Sequence, residues 1–364
     1  MVLPVKLPFD PACAPLLLGS LPYASAAQAL HISQRHTHEL LAWPQLWQRS
    51  QREQMVPQSA TGFPGLTAHE GQHQLFVQSA LAQEQIERLD LAYLEGDYGY
   101  AGMTDREAAG LFELLHQSAR LAGVRAVKGQ MLGPISLALQ LTDEHQRPLV
   151  YDPVLFDAVA QFVRMRVAWQ AQRLASLGKP TIMCLDEPFL EMVGSPFLPI
   201  DWDDARTQIN LALSDVGGCR ALFVGGAIDW GHLLRMDIDL IIGDVFEHSA
   251  PLVGAAEALT LFVAAGGHIG LGIVPTEADL LASITADELV AQLAMCIDAL
   301  AAAEVDTTRL LRQAVITPNG ALGALAPEEA EHALKLLAAV SALVRERYML
   351  GGQPQEPQSE RMSE

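Results

Sequence analysis

Cys184-Leu185-Asp186-Glu187-Pro188 sets two adjacent carboxylates at the end of an apolar run and stops that run with a proline. A carboxyl buried beside a like charge holds its proton longer, which suits acid/base work, whereas one that stays ionised binds a substrate ammonium. The same pair has a plainer use, with one acid capping the next loop and the other facing water. Asp244 and His248 are close enough in the chain to relay a proton or share a metal, although Asp244 equally suits a loop cap with His248 in solvent. Asp229 before Trp230 reads as a helix N-terminal residue or as a ligand contact.

Two histidine groupings have metal-binding spacing. His69-Glu70-Gly71-Gln72-His73 has the His-Glu-x-x-His form of zinc peptidases, but its glycine and the preceding loop Gly62-Phe63-Pro64-Gly65 weaken the helix that form requires. His31, His36 and His38 gather ahead of an apolar strand, where solvated loop histidines are the ordinary outcome. No phosphate loop, Gly-x-Gly-x-x-Gly fingerprint or Gly-x-Ser-x-Gly elbow stands in the right context, so nucleotide-dependent and serine-hydrolase readings fall away.

These groups need a scaffold, and short β-rich runs alternating with longer amphipathic stretches supply it. The expected strands are Leu16 to Gly19, Leu40 to Trp43, Ala126 to Gln130, Ile182 to Leu185, Ala221 to Val224, Leu240 to Gly243, Ile269 to Val274 and Ala314 to Thr317. Eight βα units point to an α/β fold, a single (β/α)8 TIM barrel. Helices are expected over Val154 to Leu177, Asp203 to Val216, Pro251 to Ala265, Asp287 to Ala303 and Pro327 to Arg347. The overlong stretch Pro44 to Arg125 reads as a helical insertion between strands 2 and 3, and as a lid. The barrel domain is expected over residues 1–350, with 351–364 a disordered polar tail.

In such a barrel the chemistry sits at the carboxyl ends of the strands. Those ends carry Ser20, Trp43-Pro44-Gln45, Gln130, Asp186-Glu187-Pro188, Gly225-Gly226 with Asp229, Asp244 with His248, Pro275-Thr276 and Pro318-Asn319-Gly320. The catalytic candidates are therefore Asp186, Glu187, Asp244 and His248. The substrate-binding candidates are Ser20, Trp43, Gln130, Asp229 and Asn319.

Composition narrows the partners. Lysine and arginine total 23 against 43 acidic residues, a net charge of −20 that disfavours nucleic acid and anionic membrane. The four cysteines lie tens of residues apart, which argues against a disulfide framework and for a reducing compartment. The most apolar part, Leu252 to Pro275, is broken by Glu257, His268 and several glycines, and no basic segment followed by an apolar one opens the chain. The expectation is a soluble, cytoplasmic protein.

Leu18-Gly19-Ser20-Leu21-Pro22, Trp43-Pro44-Gln45-Leu46, Arg49-Ser50, Arg52-Glu53, Gly129 to Leu137 and Leu185-Asp186-Glu187-Pro188 form a set with three further pieces. Those are Asp229-Trp230, Gly272-Ile273-Val274-Pro275-Thr276 and Ile316-Thr317-Pro318. Together, over Leu16 to Arg347, they resemble the short, single-barrel relatives of cobalamin-independent methionine synthase. That superfamily also holds uroporphyrinogen decarboxylase. The resemblance implies a methyltransferase barrel whose zinc binds a thiol substrate as thiolate. It implies further that Asp186 holds an amino-acid ammonium, with Ser20 and Gln130 at the substrate's polar end.

The implied zinc ligands are a His-x-Cys pair after the fifth strand, a carboxylate after the sixth and a cysteine after the eighth. Phe223, Gly225 and Gly320 stand at the histidine and cysteine positions, and only Asp244 is kept. One carboxylate does not hold a zinc ion, which needs at least three protein ligands. The expected function is thus a methyltransferase-type or derived enzyme acting on a small thiol or amino-acid-like substrate without the usual zinc, and the sequence names no replacement cofactor. The expected partners are that small molecule and a corrinoid or methyl-donor partner protein. The alternatives are a metal-free decarboxylase-like enzyme, with Arg49 and Arg52 toward substrate acids, and a non-catalytic ligand-binding or partner subunit.

Overall fold

Apolar runs a helix apart along the chain lie side by side and parallel in a computed structural model that describes residues 7–68, 75–117, 121–196 and 198–350. The strands are β1 (Ala14–Pro15), β2 (Leu40–Ala42), β3 (Leu66–Ala68), β4 (Leu75–Val77), β5 (Ala126–Leu132), β6 (Thr181–Asp186), β7 (Cys219–Val224), β8 (Leu240–Asp244), β9 (His268–Val274) and β10 (Ala314–Pro318). Eight of them form one sheet in the order β1-β10-β9-β8-β7-β6-β5-β2, every pair parallel. Parallel bridges Leu16 to Leu40 and Ser20 to Gln45 bring the two ends of that order together, giving a (β/α)8 barrel.

The period of two decides what each side chain meets. Leu16, Leu40, Ala126, Ile182, Cys184, Ala221, Phe223, Leu240, Ile242 and Val315 pack on one another inside the barrel. Their neighbours Leu17, Leu41, Val127, Met183, Leu185, Leu222, Ile241 and Ile316 pack outward against the helices. Lys128, Gln130, Asp186, Asp244 and Thr317 share the inward parity toward the carboxyl ends, and the buried His268 shares it at the amino end of β9.

Local chemistry sets the helices. Asp152 accepts from the amides of Val154 and Leu155 at the start of Pro153–Ala175, and Pro153 takes the first helical position, where its missing donor costs nothing. Capping boxes open Trp202–Leu213 (Asp201 with Asp204) and Ala286–Ala302 (Thr285 with Glu288). The last helix, Pro327–Arg347, has the expected bounds. The stretch expected as one helix over Pro251 to Ala265 is two, Ser249–Gly254 and Ala256–Ala264, because Ala255 after a glycine leaves helical geometry (φ −99°, ψ 21°). The first strand also differs from expectation. Its ladder covers Ala14–Pro15, and beyond it only single bridges at Leu16 and Ser20 continue the pairing, on either side of Gly19 at φ 149°.

The insertion between β2 and β5 holds helices, as expected, and also the antiparallel hairpin β3-β4. A fully buried Arg166 on Pro153–Ala175 ties it down, donating to the carbonyls of Ala101 (2.8 Å), Gln58 (2.6 Å), Ser59 (3.1 Å) and Thr61. The Arg166 guanidinium lies 4.6 Å from the Phe162 ring, which meets Phe63 of the insertion edge-on at 5.5 Å. The His69 to His73 motif and residues 351–364 lie outside the described residues. Among the described residues no helix is long and apolar enough to cross a membrane.

Candidate functional site

Lys128 on β5 is fully buried inside the barrel. Its ammonium donates to the Leu18 carbonyl and lies 3.4 Å from Gln130 Oε1. Gln130, one inward step further along β5, donates to the Trp43 carbonyl at 2.9 Å and lies across Gly19. A Cβ at Gly19 would sit 2.6 Å from Gln130 Cδ, so the glycine there makes room for the amide. Lys128 was hidden in the sequence because a lysine after two apolar residues reads as surface. The inward parity of β5 is the signal that finds it.

Asp186 ends β6 at the mouth, where the Cys184 thiol approaches its Oδ1 at 3.6 Å. Burial pushes the Asp186 carboxyl up to about 6, while the Lys128 charge and the Cys184 contact pull it down. The result is a carboxylate largely ionised at neutral pH yet able to take a proton just below it. Thr317, inward on β10, is fully buried, and its hydroxyl has no hydrogen-bond partner among the described residues. Buried hydroxyls without a partner are uncommon enough to suggest a bound polar group. Across the register from Thr317 stands Gly272, then Asp244, and the backbone of Gly243, Pro318 and Asn319 closes on Gly272 too tightly for a side chain there.

Replacing Lys128 by methionine removes the cation that favours ionised Asp186, so the Asp186 carboxyl moves above about 6. Binding of a cationic ligand needs the ionised form and is lost as pH falls through that value. The expected result in a pH titration of ligand affinity is a midpoint displaced toward neutrality. An unchanged midpoint would show that the two groups do not interact.

The other sequence candidates occupy different places. Glu187 faces away from the mouth and is fully buried, its two carboxylate oxygens accepting from the amides of Ile135 (2.9 Å) and Ser136 (2.8 Å) at the start of the helix Pro134–Gln140. Burial raises its carboxyl to about 7 against those bonds, and Gly133 leaves room for it. This is the capping role that adjacent acids also allow, and it keeps Glu187 from a ligand. The Trp43 ring is fully buried among the outer core residues and donates to Gln170 Oε1 at 2.8 Å, so only its backbone carbonyl serves the mouth. Asp229 is an exposed cap, accepting from the Gly231 amide at 2.8 Å. Ser20 accepts from the Gly323 amide at 3.2 Å, and Asn319 accepts from the Thr276 hydroxyl at 3.2 Å. Both lie at strand ends, with their side chains already partnered.

Asp244 Oδ1 accepts from the amides of Phe246 (2.8 Å) and Glu247 (3.0 Å). Asp244, Glu247 and His248 each bring a ligand atom within 4.8 Å of the others, a grouping that adds Glu247 to the expected pair. Oxygen-rich donors of this kind suit a hard divalent cation or a proton relay rather than a thiolate centre.

The implied thiol-binding zinc does not fit the residues present. Phe223 puts an aromatic ring of the inner cluster at one ligand position. Gly225 and Gly320 offer no donor; a Cβ at Gly225 would meet open space, and one at Gly320 would meet the Thr276 hydroxyl at 2.9 Å. All four cysteines are buried, and burial pushes the thiol of Cys184, the one beside Asp186, upward, away from the thiolate a metal needs. Arg49 and Arg52 do not reach out unpaired either. They form ion pairs with the buried Glu53 (3.4 Å) and Glu107 (3.3 Å).

The fold and this mouth define a (β/α)8 barrel with polar groups gathered at its carboxyl end. No family model matches the chain, and no curated protein sequence matches it. Among solved structures it is similar to a methyltransferase from Methanosarcina mazei, at 13% identity over 94% of each chain with a TM-score of 0.56. At that identity the likeness shows a shared fold along nearly the whole chain. The chain is also similar to a B12-independent methionine synthase from Shewanella sp. W3-18-1 in complex with selenomethionine (17% identity, 65% of this chain and 67% of that one, TM-score 0.47). A GH113 β-mannanase from Alicyclobacillus acidocaldarius is a more distant likeness (12% identity, 64% and 78% of the two chains, TM-score 0.36).

Proposed function

We propose that the protein is a methyltransferase-type enzyme, or one derived from that type, which binds a small amino-acid-like substrate in the barrel mouth and works without the His-Cys-Cys zinc set. The observation that carries this reading is Asp186, a buried carboxylate at the end of β6 whose ionised form the buried cation of Lys128 favours. A substrate ammonium placed against Asp186 gains a charge-assisted hydrogen bond in a site with little water to screen it. The Gln130 amide fixes the barrel wall beside it, and the free Thr317 hydroxyl is available to the substrate's polar end. His248, half-exposed beside Asp244 and Glu247, offers a ring nitrogen to take a proton from the attacking group. A corrinoid or a methyl-donor protein is the corresponding donor class.

Thermal denaturation with methionine, homocysteine and the deamino analogue 4-(methylthio)butanoate tests the binding half. The two amino acids are expected to raise the midpoint, with about 2.7 kcal/mol of stabilisation at a hundredfold excess over Kd. The deamino analogue is expected to leave it in place, and equal stabilisation by all three, or by none, overturns the role of Asp186. Metal analysis of protein purified without chelator is expected to find less than stoichiometric zinc, and a full equivalent would restore the zinc reading. Isotope-labelled methylcobalamin with homocysteine tests transfer itself, and binding without label transfer would favour the ligand-binding subunit.

A further inference from the structure

Arginine is the feature least expected to cluster on a chain with 43 acidic and 23 basic residues, yet Arg49, Arg52 and Arg106 line one cavity of about 350 Å3 together with Ser50. No carboxylate lines it. The segment carrying Arg49 to Arg52 follows β2 from its carboxyl end, where Gln45 bridges Ser20, so the cavity opens on the same end of the barrel as the mouth.

The two paired arginines are held from behind. Glu53 Oε1 also accepts from the Ala109 amide at 2.7 Å, and Glu107 Oε2 from the Thr104 amide at 3.0 Å, so both carboxylates are anchored to backbone and are not free to swing into the cavity. Arg49 meets Glu53 and the Asp105 carbonyl through Nη1 alone, and Arg52 meets Glu107 through Nη1 alone. Among the described residues no hydrogen bond uses the Nε or Nη2 hydrogens of either guanidinium, and a guanidinium has five N–H donors in a planar fork matched to oxyanions. Arg106 is exposed, and among the described residues its guanidinium meets no carboxylate. Asp105, exposed beside Arg106, does not line the cavity, so three guanidiniums and no carboxylate face this space. Repulsion among three guanidiniums is offset by an anion placed between them.

We infer that Arg49, Ser50, Arg52 and Arg106 form a binding site for an oxyanion of two or more negative charges, a phosphate or a polycarboxylate group, on the mouth side of the barrel. The site is separate from Asp186, and it stands or falls independently of the ligand proposed there. Its source is either a free anion or the acidic end of a larger ligand.

Calorimetric titration of the full chain in dilute chloride buffer, with inorganic phosphate in one arm and tricarballylate in the other, tests the site. One saturable equivalent is expected in at least one arm, and the arm that binds identifies phosphate or carboxylate as the source chemistry. Affinity is expected to fall at least tenfold in Arg106→Glu and severalfold in Arg52→Gln, and to weaken as chloride rises. Because the exposed Arg106 guanidinium meets no carboxylate among the described residues, Arg106→Glu is expected to melt with the parent, which separates lost binding from lost folding. No saturable binding in either arm, or affinity unchanged in Arg106→Glu, overturns the inference.

Discussion

Asp186→Asn is expected to weaken binding of an ammonium-bearing ligand by about a hundredfold, about 3 kcal/mol, while the protein keeps its fold. The amide preserves shape and can still meet the Cys184 thiol, but it removes the charge that a substrate cation requires and leaves the charge of Lys128 unopposed by Asp186. Repulsion from that lysine then adds to the lost attraction. Stability is expected to change little, because burial already disfavours the ionised carboxylate. Glu187→Gln should behave in the opposite way. It trades one of two backbone-capping oxygens for an amide donor facing a donor, and it is expected to cost about 1–3 kcal/mol of stability with ligand affinity retained. Calorimetric affinity and thermal midpoint, measured on both variants, separate the roles. Equal affinity loss in the two would mean that the carboxylates act together at the mouth after all.

The second large effect concerns the insertion. Arg166→Met is expected to lose about 4 kcal/mol, since it leaves the carbonyls of Gln58, Ser59, Thr61 and Ala101 buried without their donor. The loss falls first on the segment between β2 and β5, because the arginine sits on a barrel helix and its acceptors lie in the insertion. Hydrogen exchange is therefore expected to rise around residues 58–61 and 101 before it rises in the barrel strands. Arg166→Lys should rescue little, since one ammonium does not span acceptors that the guanidinium fork reaches from three nitrogens. Uniform exchange across barrel and insertion would show instead that the two unfold as one unit.

Legibility in the sequence followed the range of the forces involved. The eight barrel strands were readable because alternation of apolar runs with capped amphipathic stretches is a local pattern, and seven of the eight lie within two residues of their expected ends. The first strand shifted because pairing to β10, from the far end of the chain, selects Ala14–Pro15. Asp186 was readable because a carboxylate that ends a buried strand has few places to go. Its neighbour Glu187 was not, since a one-residue step reverses the side chain, and only the helix Pro134–Gln140 packed behind β6 shows where that carboxylate goes.

The sequence by itself therefore determined the barrel, the position of Asp186 and the replacement of three implied zinc ligands by Phe223, Gly225 and Gly320. The tertiary structure alone decided that Lys128 is inside the barrel, that the Thr317 hydroxyl lacks a partner among the described residues, that Glu247 joins Asp244 and His248, and that Arg106 lines one open space with Arg49 and Arg52. Each of these depends on contacts between residues distant in the chain or on the closing of the sheet into a ring. Residue type and local period carry no record of such contacts, because the energy of a buried charge or a shared cavity is set by the groups that tertiary packing brings to it.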